Sequence, residues 1–115
     1  MRRGDIYLID LHQQFGSEQS GLRPAIVVQN DVGNIYSPTT IICPITSKQK
    51  HRIKTHLEIT PNDADVREIS TVLCEQLRVV DKQRLKKKLG SIKNQNIMND
   101  LNKKLLISIG VKEDE

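Results

Sequence analysis

Three polar residues stand where strands begin, end or are interrupted, and their types suit the handling of a phosphate. Arg23 lies in SEQSGLRPAIVVQND, residues 17–31, directly before Pro24. A residue before proline is pushed out of the helical region into an extended geometry. Arg23 is therefore presented at the mouth of a strand, next to the polar loop Ser17–Gly21. A guanidinium held there offers a planar fork that matches phosphate; the plainer alternative is a surface pair with Glu18. Thr46 closes the run TTIICPIT, residues 39–46, and Glu75–Gln76 interrupt ISTVLCEQLRVV, residues 69–80. An amide inside an apolar strand needs hydrogen-bond partners. If these strand positions converge, guanidinium, hydroxyl and amide make an anion site.

Other chemistries find little support in the sequence. His12, His51 and His56 lie in or beside loops at unrelated positions and read as surface residues. There is no GxSxG, phosphate-binding P-loop or HExxH pattern. Cys43 and Cys74 sit in apolar runs without a CxxC spacing, which reads as two buried free thiols. Asp63 and Asp65 fall in a turn-rich stretch and read as solvated. No metal or cofactor is expected.

The elements that must position these residues are mostly strands. DIYLIDL (5–11) reads as a mostly buried first strand and Arg23–Asn30 as a second. Residues 31–38 carry Gly33, Asn34 and Pro38 and read as a turn. Thr39–Thr46 forms a third strand with an edge or bulge at Pro44, which cannot donate to a ladder. Ser47–Lys54 is a basic loop, Thr55–Ile59 a fourth strand, and Ile69–Val80 a fifth, long enough to bend. Asp81 is placed to cap a short helix, Lys82–Lys88, stopped by Gly90. Asn94 or Gln95 opens a second helix, in which Ile97, Met98, Leu101, Leu105 and Ile109 keep helical spacing. The reading is a mainly β domain, a small, strongly bent barrel-like sheet with a C-terminal helix on one side.

Composition agrees with one globular domain of 115 residues, with 37% hydrophobic and 28% charged residues. Aromatics are only 3%, so the core is aliphatic and the stacking platforms of many single-strand binders are missing. The net charge is +4, with Lys/Arg concentrated at 48–54 and 82–104, which favours an anionic partner. No apolar run reaches membrane-spanning length and MRRGD is not a signal peptide, so a cytoplasmic protein without membrane contact is expected.

Beyond these residue-level readings, the chain resembles the MazF/PemK (Kid) family of bacterial toxin endoribonucleases. The matching stretches are RRGDIYLIDL at the start, GSEQSGLRPAIVVQNDVGN at 16–34, SPTTIICPIT at 37–46, THLEI at 55–59 and CEQLRVVDKQRLKKKLG at 74–90. The resemblance implies the SH3-like barrel of CcdB/MazF-type plasmid-maintenance toxins and a homodimer. It implies sequence-specific, metal-independent cleavage of single-stranded RNA, above all mRNA, and a MazE-like antitoxin with an acidic C-terminal segment. It carries catalytic roles onto Arg23 and Thr46, and RNA contacts onto Phe15, Ser17, Glu18 and Gln76. The substrate's 2′-hydroxyl is the expected attacker, giving 2′,3′-cyclic phosphate and 5′-hydroxyl ends and so stopping translation. The chain departs from the family pattern at Cys43–Pro44 and across Asn62–Ile69. A second reading is a CcdB-like toxin that binds DNA gyrase and cuts no RNA; the Arg23 and Thr46 pair, which that group does not need, favours the nuclease.

Overall fold

The computed structural model describes residues 1–48 and 53–113. Among these residues seven strands and two α-helices follow one another as β1 (Asp5–Asp10), β2 (Leu22–Val27), α1 (Asp31–Tyr36), β3 (Thr39–Thr46), β4 (His56–Ile59), β5 (Ser70–Leu73), β6 (Arg78–Asp81), β7 (Leu85–Ser91) and α2 (Gln95–Ser108). All strand pairings are antiparallel, in the order β4-β5-β3-β2-β1-β7, with β6 also paired to β3. The expected mainly β domain with a C-terminal helix is what forms. The sheet curls without closing: beyond β4 and β7 the two ends meet through an isolated bridge, Ala64 to Ile92, flanked by backbone bonds from Asp65 to Ser91 and from Lys93 to Asp63.

The core follows from the period-2 alternation of strands. Ile6, Ile26 and Cys43 are cross-strand neighbours and point into one apolar cluster, with Ile45, Leu57, Ile59 and Val72. Ile9, Ala25, Val27 and Ile42 turn to the other face and form a second cluster with Leu11 and Val80. α2 covers the first. Asn94 caps it, its side-chain oxygen accepting from the Ile97 N–H at 2.9 Å. Leu101 is fully buried, with Ile97, Met98 and Leu105 packed around it. Burying one such leucine stabilises by roughly 1.5–3 kcal/mol. Ile109 falls past the helix end and is exposed, so it does not belong to that stripe. Both cysteines are buried free thiols, as read from their surroundings. The neighbouring Cys74 thiol, with burial, pushes the Cys43 thiol far above its ordinary pKa.

Four sequence expectations are corrected. The second strand ends at Val27 rather than Asn30, and residues 31–36 form a short helix where a turn was expected. Asn30 explains the helix: its side chain accepts from the Gly33 N–H at 2.8 Å, an N-cap at the end of an apolar run. The expected fifth strand is two strands, broken by a 3-10 turn at Cys74–Gln76. The cause lies across the sheet. β3 pairs with β6 over Thr39–Ile42 and with β5 over Ile45–Thr46, and Pro44, which has no N–H, stands at the changeover.

The largest correction concerns Lys82–Lys88. Only Lys82–Arg84 is helical, a single 3-10 turn whose start Asp81 does cap through the Gln83 N–H; the rest belongs to β7, paired with β1. Three consecutive lysines on a terminal strand discourage pairing with another sheet edge. Gly90 does not stop a helix. Its φ of +154° and its approach to Asp65 leave no room for a side chain, since a Cβ there would lie 2.2 Å from that of Asp65.

Candidate active site

The β2–β3 register pairs Ala25 with Pro44, Ile26 with Cys43 and Val27 with Ile42. Carried two residues further, it brings Arg23 level with Thr46. The ladder ends before that point because Pro24 has no N–H to give and β3 has turned to β5, where Thr46 pairs with Thr71. The strands part and leave a cleft of about 680 Å³, lined by Arg23 and Thr46 and by Arg67, Lys87 and Lys88, with Asp65 and Glu68 at its acidic side. Four basic side chains against two acidic ones favour an anion in the cleft.

Arg23 is half-buried, and its Nε donates to the Ser20 carbonyl at 3.0 Å. That bond fixes the plane of the guanidinium. Among the described residues the terminal nitrogens take no further protein partner, so the fork is left for a ligand. The surface pair with Glu18 does not form: Glu18 Oε2 accepts from the Phe15 N–H at 3.0 Å instead. Thr46 is 3% exposed, and its Oγ1 accepts from the Lys48 N–H at 3.2 Å. With an acceptor position so filled, the hydroxyl hydrogen can be donated. Lys88 lies 3.5 Å from Asp5, and the Ser91 N–H, with Lys93 nearby, holds Asp65 below the usual carboxylate range.

The residues expected to contact RNA fall elsewhere. Glu18 and Gln76 line a separate, smaller cleft together with Pro44. Phe15, 88% exposed, lines neither cleft and stands at the tip of the loop between β1 and β2. Gln76 has the partners a partly buried amide requires: its Oε1 accepts from the Gln19 N–H at 2.9 Å, and its Nε2 donates to the Ser17 carbonyl at 3.3 Å. The side chain thus ties the 17–19 loop to the sheet.

Two features escaped the sequence reading. His56 is not a surface residue. Its side chain is 10% exposed and its Nε2 lies 2.9 Å from Glu75 Oε2, joining β4 to the turn that carries Gln76. Lys87 and Lys88 reach the cleft because their segment is a strand. His51 and most of the basic loop, residues 49–52, lie outside the described residues. Among the described residues no three His, Cys, Asp or Glu side chains gather in a metal-holding group. No helix among them is long and apolar enough to cross a membrane.

The bent antiparallel sheet carries a C-terminal helix and opens an arginine–threonine cleft where its central strands part. The family model described as PemK-like, MazF-like toxin of type II toxin–antitoxin system matches residues 2–109, and the chain belongs to that family. It is 46% identical over 112 residues to the endoribonuclease MazF of Staphylococcus saprophyticus, covering 96% of this chain and 92% of that one. Two solved structures share the fold. A mycobacterial endoribonuclease in complex with its cognate antitoxin superposes with a TM-score of 0.82 at 22% identity, covering 99% of both chains. MazF from Deinococcus radiodurans gives 0.79 at 23%, covering 96% of both.

Proposed function

We propose that this chain is a sequence-specific endoribonuclease toxin that cuts single-stranded RNA without a metal ion, through attack by the RNA's own 2′-hydroxyl. The endoribonuclease class rests on family membership and the 46% identity to a MazF. The finer reading is carried by one observation: Arg23 and Thr46 lie level at the parting of β2 and β3, in one cationic cleft. A scissile phosphate seated there meets the free fork of Arg23 and the Thr46 hydroxyl. The 2′-oxygen loses its proton and bonds to phosphorus; the phosphorus–O5′ bond breaks, and the leaving oxygen takes up a proton. The products are a 2′,3′-cyclic phosphate and a 5′-hydroxyl. Guanidinium and hydroxyl oppose the charge that builds on the phosphate oxygens, a role that needs donors already aimed.

Incubating the purified protein with a long RNA in EDTA and mapping the ends tests this. Cuts at a recurring short sequence, with cyclic phosphate at one end and 5′-hydroxyl at the other, are expected. Cleavage that stops on chelation and returns with a divalent ion would overturn the metal-free reading.

The protein should act as a homodimer held in check by an antitoxin. Leu106, Ile109 and Val111 leave an exposed apolar margin at the end of α2, and a two-fold interface is the commonest cover for such a margin. Sedimentation at micromolar concentration should give twice the 13.1 kDa chain mass; a single-chain mass would exclude the dimer. An acidic, extended antitoxin segment suits the same positive cleft as RNA, since both answer to one field.

A further inference from the structure

Cys43 and Cys74 are the two cysteines of the chain, and the fold brings them together in the first apolar cluster. Carried two residues past its pair Ile45–Val72, the β3–β5 register sets Cys43 level with Cys74. Their backbones bond to other partners. Cys43 belongs to the ladder with Ile26 of β2, and the Cys74 N–H donates to the Thr55 carbonyl at 3.1 Å. Residues that stand level on antiparallel strands without mutual bonds are the closer kind of pair, with Cα atoms about 4.5 Å apart and side chains nearer still. That spacing falls within the roughly 4.4–6.8 Å that a disulfide spans. The two thiols already share a hydrogen bond.

We infer that Cys43 and Cys74 form an oxidation site, a dithiol that hydrogen peroxide converts to a disulfide, and that the disulfide slows RNA cleavage. The second half of the inference rests on the RNA-cleaving reading above. While the fold is closed the pair is protected. Both thiols are fully buried, and burial disfavours the thiolate, which is the reactive form. Reaction follows an opening of the 3-10 turn, which breaks two backbone bonds, from Cys74 to the Thr55 carbonyl and from Leu77 to the Cys74 carbonyl. Cys43 lies inside β3 and has no such exit, so Cys74 reacts first. Its thiolate attacks one peroxide oxygen and the O–O bond breaks. The departing hydroxide takes the proton that the thiol gave up and leaves as water, with a sulfenic acid on Cys74. The Cys43 sulfur then bonds to the Cys74 sulfur, and its proton leaves with the sulfenic hydroxyl as a second water. The two thiols give up two electrons and one peroxide takes both.

The bond bears on the active site through a short chain of contacts. A sulfur–sulfur bond is shorter than the thiol hydrogen bond it replaces, so the turn is drawn towards β3. That turn carries Gln76, whose Oε1 holds the Gln19 N–H, and the Ser20 carbonyl, one residue on, holds Arg23 Nε. A displaced turn therefore loosens the loop that aims the guanidinium. A misplacement of about 1 Å in a positioning group can cost about a hundredfold in rate.

Reduced wild type, Cys43→Ala and Cys74→Ala are each treated with hydrogen peroxide, quenched with catalase, and measured for intact mass, RNA cleavage and amide hydrogen exchange. Oxidised wild type should lose the mass of two hydrogen atoms within a single chain and leave no thiol to alkylate after unfolding. It should cut RNA about tenfold or more slowly, and dithiothreitol should restore the rate. The amides of Ser17–Ser20 should exchange faster in the oxidised form. Each alanine variant, with one thiol, should keep its own rate through the treatment. The wild-type mass and its reversal need no variant, so a poorly folding substitution leaves the test standing. A wild type that gains oxygen without forming the bond, a bonded form that cuts at full rate, or an equal loss in the alanine variants overturns the inference. If the reduced protein cuts no RNA, the nuclease reading fails separately. Mass and exchange then decide this site: the bond with a faster-exchanging loop supports it, and the absence of either overturns it.

Discussion

Replacing Arg23 by alanine should lower the rate of RNA cleavage by about a hundredfold or more, the usual effect of removing one aimed donor from a developing oxyanion. Among the described residues the side chain makes one protein bond, to the Ser20 carbonyl, so its loss leaves the sheet intact. Arg23→Lys should recover only part of the rate, because an ammonium supplies charge without the planar fork. Thr46 gives a sharper comparison because it is buried and its shape can be kept. Thr46→Val preserves the volume, removes the hydroxyl and strips the Lys48 N–H of its acceptor. It should cut cleavage severely, whereas Thr46→Ser should retain most of it. Single-turnover rates at saturating RNA, with circular dichroism to verify folding, decide the matter. Near-normal cleavage by folded Arg23→Ala would remove Arg23 from the active site.

A single 2′-deoxy nucleotide placed immediately 5′ of the cut should abolish cleavage of that RNA. The expectation is absolute because the attacking atom itself is missing, while phosphate and base contacts are untouched. Binding should stay close to that of the all-ribose strand, since affinity for single strands comes mainly from phosphate charge and base stacking. Gel electrophoresis for cutting and anisotropy for binding measure the two separately. Continued cleavage of the deoxy strand would point to activated water as the nucleophile, with a linear phosphate product.

Much of this protein is legible along the chain. Short apolar runs place β1 and β3, alternation places β4, and the i, i+4 spacing of Ile97, Leu101 and Leu105 marks the helix that Asn94 caps. These signals are local: each element buries one face, and its own sequence records which. Arg23 at a strand mouth is likewise local, since Pro24 alone restricts the backbone before it.

What the chain could not show is what its segments meet. Lys86–Lys88 carry no alternation because β7 is an exposed terminal strand; it is a strand only because β1 supplies its hydrogen bonds from some eighty residues away. Ile69–Val80 reads as one strand, yet Pro44 on β3 withholds an N–H and the pairing breaks into β5 and β6. The same break bends Glu75 to His56 and Gln76 to the 17–19 loop, turning an isolated histidine and an odd amide into a brace. The order of residues along the chain puts Arg23 and Thr46 at strand ends. Only the register between β2 and β3 decided that the two ends are level, and only the pairing of β7 brought Lys87 and Lys88 beside them. Register depends on hydrogen bonds between residues far apart in sequence, so no periodicity within one segment encodes it.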